Sequence, residues 1–597
     1  MRRLLMLAAS ATGLAIGLHA AEPRGFFMDG FVPRHAAVPA HVPEEPPRGK
    51  PDVTVTLHAD AVTARVSPLL RGDNANTYMG RIISEPVLLG HLKTLAPAVL
   101  RYPGGNLSNQ FFWNAAPGRF PQDAPDSLIF QGVRQPAGYW AGRSEESLTL
   151  SVDNYYRVLE ATGAAGLICV NYGYARYGTG PDPVAAAAGL AAEWVRYDNG
   201  RTRFWEVGNE NFGPWQAGFE IDSAACGDGR PRIISGTEYG RHFPVFADSM
   251  RAAARSVGAD IRIGAVMVEV DKGSGWYNPV EADWNRQVLE AAGGAMDFFS
   301  IHSYFTPYNE NSSPEVILAS AGTETDRMMR HLEAVCAAHA IPLKPAALTE
   351  WNIFATGSGQ QTSFINAMHA ALVLGGLAAN RFGLAARWDL VNRWDNGNDH
   401  GLFNYGDEPG AARWNPRPAY FPIYYFGKYF GDRMIGSTVS FAHPDHLAAD
   451  PDSSDPDGAS GSGASRGDAA PTESTQPHAA SSAAQPAGAV QAFASLFGSG
   501  QAGLMLVNSG TEDRTVRIDS DGFRFSGRYY RVSLTGGDDA APFSRRIFVN
   551  GRGPEGPSGG PAGELERIPA WSRKIRGPFS VPLPARSVQF LLIEGKR

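Results

Sequence analysis

From about Leu69 to Leu390, short apolar runs alternate with amphipathic stretches. The runs Leu70–Asn76, Ala98–Tyr102, Gly166–Tyr172, Thr202–Gly208, Ile261–Val266, Asp297–His302, Ala346–Glu350 and Gly383–Asp389 predict strands. Apolar positions recur at helical spacing between them, in Glu85–Leu95, Leu148–Thr162, Pro183–Val195, Tyr239–Ser256, Val280–Ala292, Thr325–His339 and Thr362–Ala379. Strand and helix in strict alternation build parallel βαβ units, since a crossover helix is what brings a chain back to run in the same direction. Eight strands spread over this length suit a closed (β/α)8 barrel, residues 69–428. The competing arrangement is an open doubly wound sheet. It is disfavoured because no G-x-G-x-x-G follows the first strand and no P-loop occurs.

Past Lys428 the pattern changes. Val439–Ala442, Val490–Phe497, Ala502–Asn508, Thr515–Asp519, Tyr529–Leu534, Arg546–Asn550 and Ser587–Glu594 read as short strands between Gly-rich turns. That spacing predicts an antiparallel β-sandwich over 429–597. Residues 51–68, with alternating positions in Val53–Val66, are expected to add a strand to it. Residues 450–488 contain no Val, Ile, Leu, Met, Phe, Tyr or Trp. Such a segment cannot bury enough surface to offset its ordering entropy, so it is expected to be a disordered insert.

Met1-Arg2-Arg3, an apolar stretch from Leu4 to Leu18 and a small-residue point at Leu18-His19-Ala20 have the layout of a secretory signal peptide, residues 1–20. An uncleaved anchor is the alternative. Residues 21–50, rich in Pro, Arg and His, read as an extended linker. The mature chain is expected to be secreted or periplasmic, without a membrane span. Three cysteines, Cys169, Cys226 and Cys336, lack a C-x-x-C pair, which argues against a zinc or Fe–S site and a disulfide scaffold. The 53 basic residues against 60 acidic ones leave a net charge of −7, removing the case for nucleic acid as a partner. Aromatic residues, 12 Trp and 20 Tyr among them, suit sugar stacking, although core filling accounts for most.

Reacting groups of a parallel barrel gather at the C-terminal strand ends. There Glu210 closes the fourth strand and Glu350 the seventh. Two facing carboxyls are what glycosidic cleavage needs: one protonates the leaving oxygen and the other attacks the anomeric carbon. A separation of roughly 5–5.5 Å gives retention of configuration. Glu206, inside its strand, is expected to be structural and paired with a cation such as Arg101. Asp395, Asn398, Asp399 and His400 offer metal-ligand types, but a solvated loop lining the cleft is the preferred reading, and no metal or other cofactor is expected. Gly104-Gly105 reads as a tight turn permitting close backbone approach.

Four motifs in order carry a resemblance: Arg101-Tyr102-Pro103-Gly104-Gly105-Asn106, Gly208-Asn209-Glu210 with Gly213-Pro214-Trp215-Gln216, His302-x-Tyr304, and Glu350-Trp351-Asn352. Together they resemble clan A glycoside hydrolases, most of all the family 51 α-L-arabinofuranosidases, with some likeness to family 44 endoglucanases. The resemblance implies a retaining hydrolase on a barrel with a C-terminal β-sandwich, acting on carbohydrate and forming oligomers. It implies Glu210 as general acid/base and Glu350 as nucleophile. Asn209 would bind the sugar 2-hydroxyl, Tyr304 would donate to Glu350, and Arg101 would hold Glu350 ionised. Asn106, Trp215, His302 and Trp388 would shape the nearest subsite. Strand one departs from the family by lacking its acidic sugar-gripping residue; Asn74 or Asn76 is the candidate substitute. An endo-β-glycanase, a catalytically silent carbohydrate-binding protein and a polysaccharide lyase stand as alternatives.

Overall fold

The computed structural model describes residues 26–226, 229–273, 277–397, 399–442, 489–538, 542–554 and 556–596. The expected signal peptide lies outside the described residues, as does the whole of the expected insert at 450–488.

Eight parallel strands close a barrel: Gly72–Asn74, Val99–Tyr102, Ala165–Val170, Phe204–Val207, Arg262–Val266, Phe298–Ser303, Ala346–Trp351 and Leu384–Arg387. Each pairs with the next in the chain, and the eighth returns to the first through Ala386 opposite Gly72. The open doubly wound alternative is thereby set aside. Helix starts follow side-chain caps rather than apolar spacing alone. Ser235 accepts from the Glu238 amide and Ser313 from the Val316 amide, so these helices run Gly236–Ser256 and Pro314–Ala338. The second begins eleven residues ahead of the expected Thr325, because Ile317, Leu318 and Ala321 extend its buried face backward.

Eleven further strands form one mixed sheet, curled as the C-terminal sandwich, and three two-stranded ribbons lie apart from it: Phe111–Phe112 with Trp140–Ala141, Ser127–Phe130 with Val133–Pro136, and Val391–Asn392 with Phe403–Asn404. Most neighbours in the large sheet are antiparallel. Its two parallel pairings arise where N-terminal strands enter: Val53–Arg65 beside Arg514–Asp521, and His41–Pro43 beside Ala570–Ile575. Strands Ala570–Ile575 and Phe579–Leu583 escaped the sequence reading, because Arg573, Lys574 and Pro582 interrupt their apolar alternation. Helix Phe364–Ala379 is buried on almost every side, as its near-continuous apolar sequence requires. It lies between barrel and sheet, with Phe493 packed against Gly375.

Residues 26–50, read as a linker, are extended but firmly held. Phe27 packs on Phe204 and Phe298 at ring distances of 5.2 and 5.4 Å, closing the bottom of the barrel. Asp29 pairs with Arg203 and Arg262. Arg34 donates to the Phe430 carbonyl at 2.9 Å and to that of Gly427. Glu44 pairs with Arg531 of the sandwich. The Pro and Arg content that suggested an extended linker supplies both the extension and the anchoring charges.

Candidate active site

Arg101, on the second barrel strand, organises the C-terminal end of the barrel. It is fully buried, and each of its guanidinium nitrogens has a partner: Nε donates to Glu206 at 2.5 Å, Nη1 to Glu350 at 2.8 Å and Asn74 at 3.0 Å, and Nη2 to Asn209 at 2.8 Å. Burial alone would favour its neutral form, but the carboxylates of Glu206 and Glu350 outweigh it and hold the cation firmly charged. Glu206 is equally buried; its other oxygen accepts from Ser300 at 2.5 Å. Its expected pairing with Arg101 is what the structure shows.

Glu210 and Glu350 face each other with His302 between them, ligating atoms of all three lying within 4.8 Å of one another. The sixth and seventh strands slip register between Ile301 and His302, which brings His302 opposite Glu350. His302 Nδ1 lies 2.8 Å from Glu210 and 3.7 Å from Glu350, while Nε2 meets Thr349 Oγ1 at 3.1 Å. Glu350 also accepts from Tyr304 at 3.1 Å. Glu210 accepts from Trp215 Nε1 at 2.7 Å and Gln216 Nε2 at 3.2 Å.

These contacts set the protonation. Burial works against ionised Glu210, yet the hydrogen bond and charge of His302, with Trp215, hold its carboxyl below the usual range. Burial also works against charged His302, but Glu350 and Glu210 raise its imidazole above the ordinary value. Burial pushes Glu350 up, against the pull of His302 and Arg101. The three groups titrate as one unit. Their oxygen and nitrogen atoms are spaced as metal ligands are, and the Arg101 guanidinium donates to Glu350 beside them.

Asn209 is 1% exposed; its Oδ1 is taken by Arg101, and its Nδ2 has no partner among the described residues. A buried amide donor without an acceptor is costly. Asn106 is exposed at the rim and accepts from Gln216 at 2.6 Å. The indole of Trp388 lies where a Cβ on Gly105 would stand, and Asn76 crowds Gly104 in the same way. Both glycines have positive φ, +79° and +62°, so the double glycine serves close approach of neighbours.

Asn74 has a different place from the one expected. It is fully buried, and its amide donates to the carbonyls of Thr349, Ala386 and Arg387. With its oxygen on Arg101, nothing is left for a sugar. Asn76, the other candidate, donates to the fully buried Asp389 after the eighth strand at 2.6 Å, and Tyr78 donates to the same oxygen at 2.9 Å. Burial pushes the Asp389 carboxyl well up, with Asp399 adding to the effect. Sequence reading missed this cluster because Asn76 and Asp389 are 313 residues apart. The loop at Asp395–His400 is solvated only at its start, where Asp395 and Asn396 are exposed. Asp399 is buried and paired with Arg417 at 2.6 Å, His400 is partly buried against Tyr304, and Asn398 lies outside the described residues. All three cysteines are free thiols.

Residues 91–311 match the domain model for the Alpha-L-arabinofuranosidase 1 domain. That span holds Arg101, Asn209, Glu210, His302 and Tyr304 and ends before Glu350. An intracellular exo-alpha-(1->5)-L-arabinofuranosidase of Bifidobacterium longum is 26% identical over 280 residues, 43% of this chain and 43% of the relative. The match spans less than half the length of such curated relatives. Among solved structures, the GH51 α-L-arabinofuranosidase of Thermotoga petrophila covers 91% of this chain and 100% of its own, with 17% identity and a TM-score of 0.59. CelM2, a bifunctional glucanase-xylanase from a metagenome library, covers 92% and 100% with 15% identity and a TM-score of 0.55. These structures share the fold, a barrel with its β-sandwich. The resemblance to clan A hydrolases of the family 51 type, drawn from four motifs, holds.

Proposed function

We propose that this chain is a retaining glycoside hydrolase that removes α-L-arabinofuranosyl groups by double displacement. The observation that carries the reading is the pair of carboxyls within 4.8 Å of each other, flanked by the unpartnered amide of buried Asn209. That spacing falls on the retaining side, short of the roughly 6.5–9.5 Å by which inverting enzymes admit a water beside the sugar, so the second carboxyl attacks directly.

Glu350, fixed by Arg101 and Tyr304, is the nucleophile; both contacts orient the attacking oxygen toward the anomeric carbon. The proton held among Glu210, His302 and Glu350 reaches the leaving oxygen through Glu210, the more exposed of the two acids. Once Glu350 is esterified its negative charge is gone, and with it the support for that proton. Glu210 then accepts a proton from the incoming water, as the second displacement requires. Asn209 donates to the sugar 2-hydroxyl, a bond that tightens as positive charge develops at the ring.

The basic and apolar first twenty residues support export of this hydrolase, although the curated relatives are named intracellular. Among the described residues no helix is long and apolar enough to cross a membrane.

A panel of nitrophenyl arabinofuranosides, xylosides, glucosides and galactosides tests the substrate, with early product anomers followed by NMR. Arabinofuranoside cleavage with retention is expected. Cleavage of internal β-glycan bonds would instead make it an endo-glycanase, sugar binding without turnover a silent binder, and unsaturated product ends a lyase. Glu210→Ala should spare the first step on glycosides with activated phenol leaving groups, which depart without a proton, giving a burst of phenol followed by slow hydrolysis of the glycosyl-enzyme.

A further inference from the structure

At one end of the sandwich three neighbouring strands, Arg524–Gly536, Ala570–Ile575 and Ser587–Lys596, bring cations face to face. Arg524 stands directly opposite Lys596, and Arg528 directly opposite Lys574. Like charges at opposed cross-strand positions repel and weaken a sheet. Arg576, two residues past Lys574, lines one groove of about 600 Å³ together with Lys574, Arg524 and Arg528. Arg524 and Lys596 continue it into an adjoining hollow, which Asp60 also lines. Arg528 is half-buried and the other four cations are exposed.

The groove lacks a balancing anion. Glu594 is its one carboxylate among the described residues, and both oxygens are engaged: one accepts from the Arg528 amide at 2.7 Å and the other from the Tyr530 hydroxyl at 2.8 Å. The Arg528 guanidinium itself donates to Ser572 Oγ at 3.2 Å. None of the five cations forms an ion pair among the described residues. Elsewhere on the same sandwich Arg514 pairs with Asp52, and Arg517 with Asp519. Carboxylates are not scarce in a chain with 60 acidic residues against 53 basic ones, so the cluster is a local exception. Basic side chains at a sheet edge serve to keep other chains from pairing there. That role does not account for Arg528, whose strand is hydrogen-bonded on both sides.

We propose that this groove binds a polysaccharide bearing uronic acid residues, with its carboxylates seated on the Arg524–Lys596 and Arg528–Lys574 pairs. The choice of a polysaccharide rests on the hydrolase reading above; the choice of an anion rests on the groove alone. A nucleic acid, with one charge about every 1.7 Å of duplex, demands a long basic surface, which a chain of net charge −7 does not offer. A polymer with one carboxylate per sugar needs only a few cations, and guanidinium groups hold carboxylates with two parallel bonds. Anchoring by the sandwich keeps the hydrolase on its polymer and raises the effective concentration of the side branches.

The full-length chain is titrated calorimetrically with polygalacturonate and, separately, with its fully methyl-esterified form, which keeps the main chain and removes the charge. The acid form should bind and the ester should not. Lys574→Glu sets opposite charges across the pair with Arg528, so the sheet is preserved. It should weaken binding about tenfold or more, as should Lys574→Gln combined with Arg576→Gln, and added salt should weaken the native chain in the same way. Hydrolysis of a nitrophenyl arabinofuranoside should be unchanged in these variants, because both residues stand on the sandwich. Failure of polygalacturonate to bind, undiminished binding in the variants, or equal binding of the ester would each overturn the proposal. So would a single-stranded DNA bound as tightly as the uronate and lost with the same cations. A chain that cleaves no glycoside yet holds polygalacturonate through these cations would sink the hydrolase reading and leave the groove standing.

Discussion

At the bottom of the barrel the strands meet in Val99, Leu167, Phe204, Phe298, Ala347 and Leu384, a dry layer onto which Phe27 packs. A few residues further along the same strands stand Arg101, Glu206, Ser300, Thr349 and Glu350, as deeply buried but joined by hydrogen bonds and charge. Equal burial thus serves two ends. Apolar groups stabilise wherever water is removed, whereas the upper charges are tolerated only because each has a partner. The lower layer should govern stability and the upper one activity, and each can be perturbed separately.

The largest effect belongs to Glu350→Ala. It should lower kcat on the best arabinofuranoside by on the order of 10⁴-fold or more while the chain remains folded. A variant with near-native turnover would remove Glu350 from the chemistry. Arg101→Met comes next, because it leaves Glu206 charged and unpaired in the interior; about 3–5 kcal/mol of stability should be lost in urea unfolding. Adding Glu206→Gln should recover part of it, and no recovery would show that Arg101 acts by packing alone. Asn209→Ala should cost roughly 10²-fold in kcat/KM with little change in unfolding midpoint. At the other end of the strands the balance reverses. Phe27→Ala should destabilise by about 2 kcal/mol, since its ring is only partly buried, and leave kcat of the folded fraction near native.

The smallest effect concerns pH. His302 has a folded-state value above its ordinary 6.5, so the stability it contributes is complete below that ordinary value and is lost as pH rises through the raised one. The basic limb of kcat/KM should track this loss. In His302→Asn the proton rests on carboxyls alone, and the limb should move to lower pH. An unmoved limb would take His302 out of the proton store.

Much of this was legible in the chain. Alternating apolar runs and helical spacing fixed the barrel, since both follow from which side chains must leave water. Glu210, Glu350 and Arg101 were legible because strand ends are where such a barrel gathers its polar groups. Asn74 was misplaced, for it sits at a strand end like the others and only its neighbours decide that backbone carbonyls take up its amide. The Asp389 cluster was likewise out of reach.

By itself the sequence determined which strands exist, which face of each helix is buried and which carboxyls stand at one rim, because local periodicity and chain direction are written in consecutive residues. Only the tertiary structure decided which polar atoms are already satisfied and which remain free for a substrate. Hydrogen bonds and charge pairs depend on distances between segments hundreds of residues apart, and those distances are set when the barrel closes.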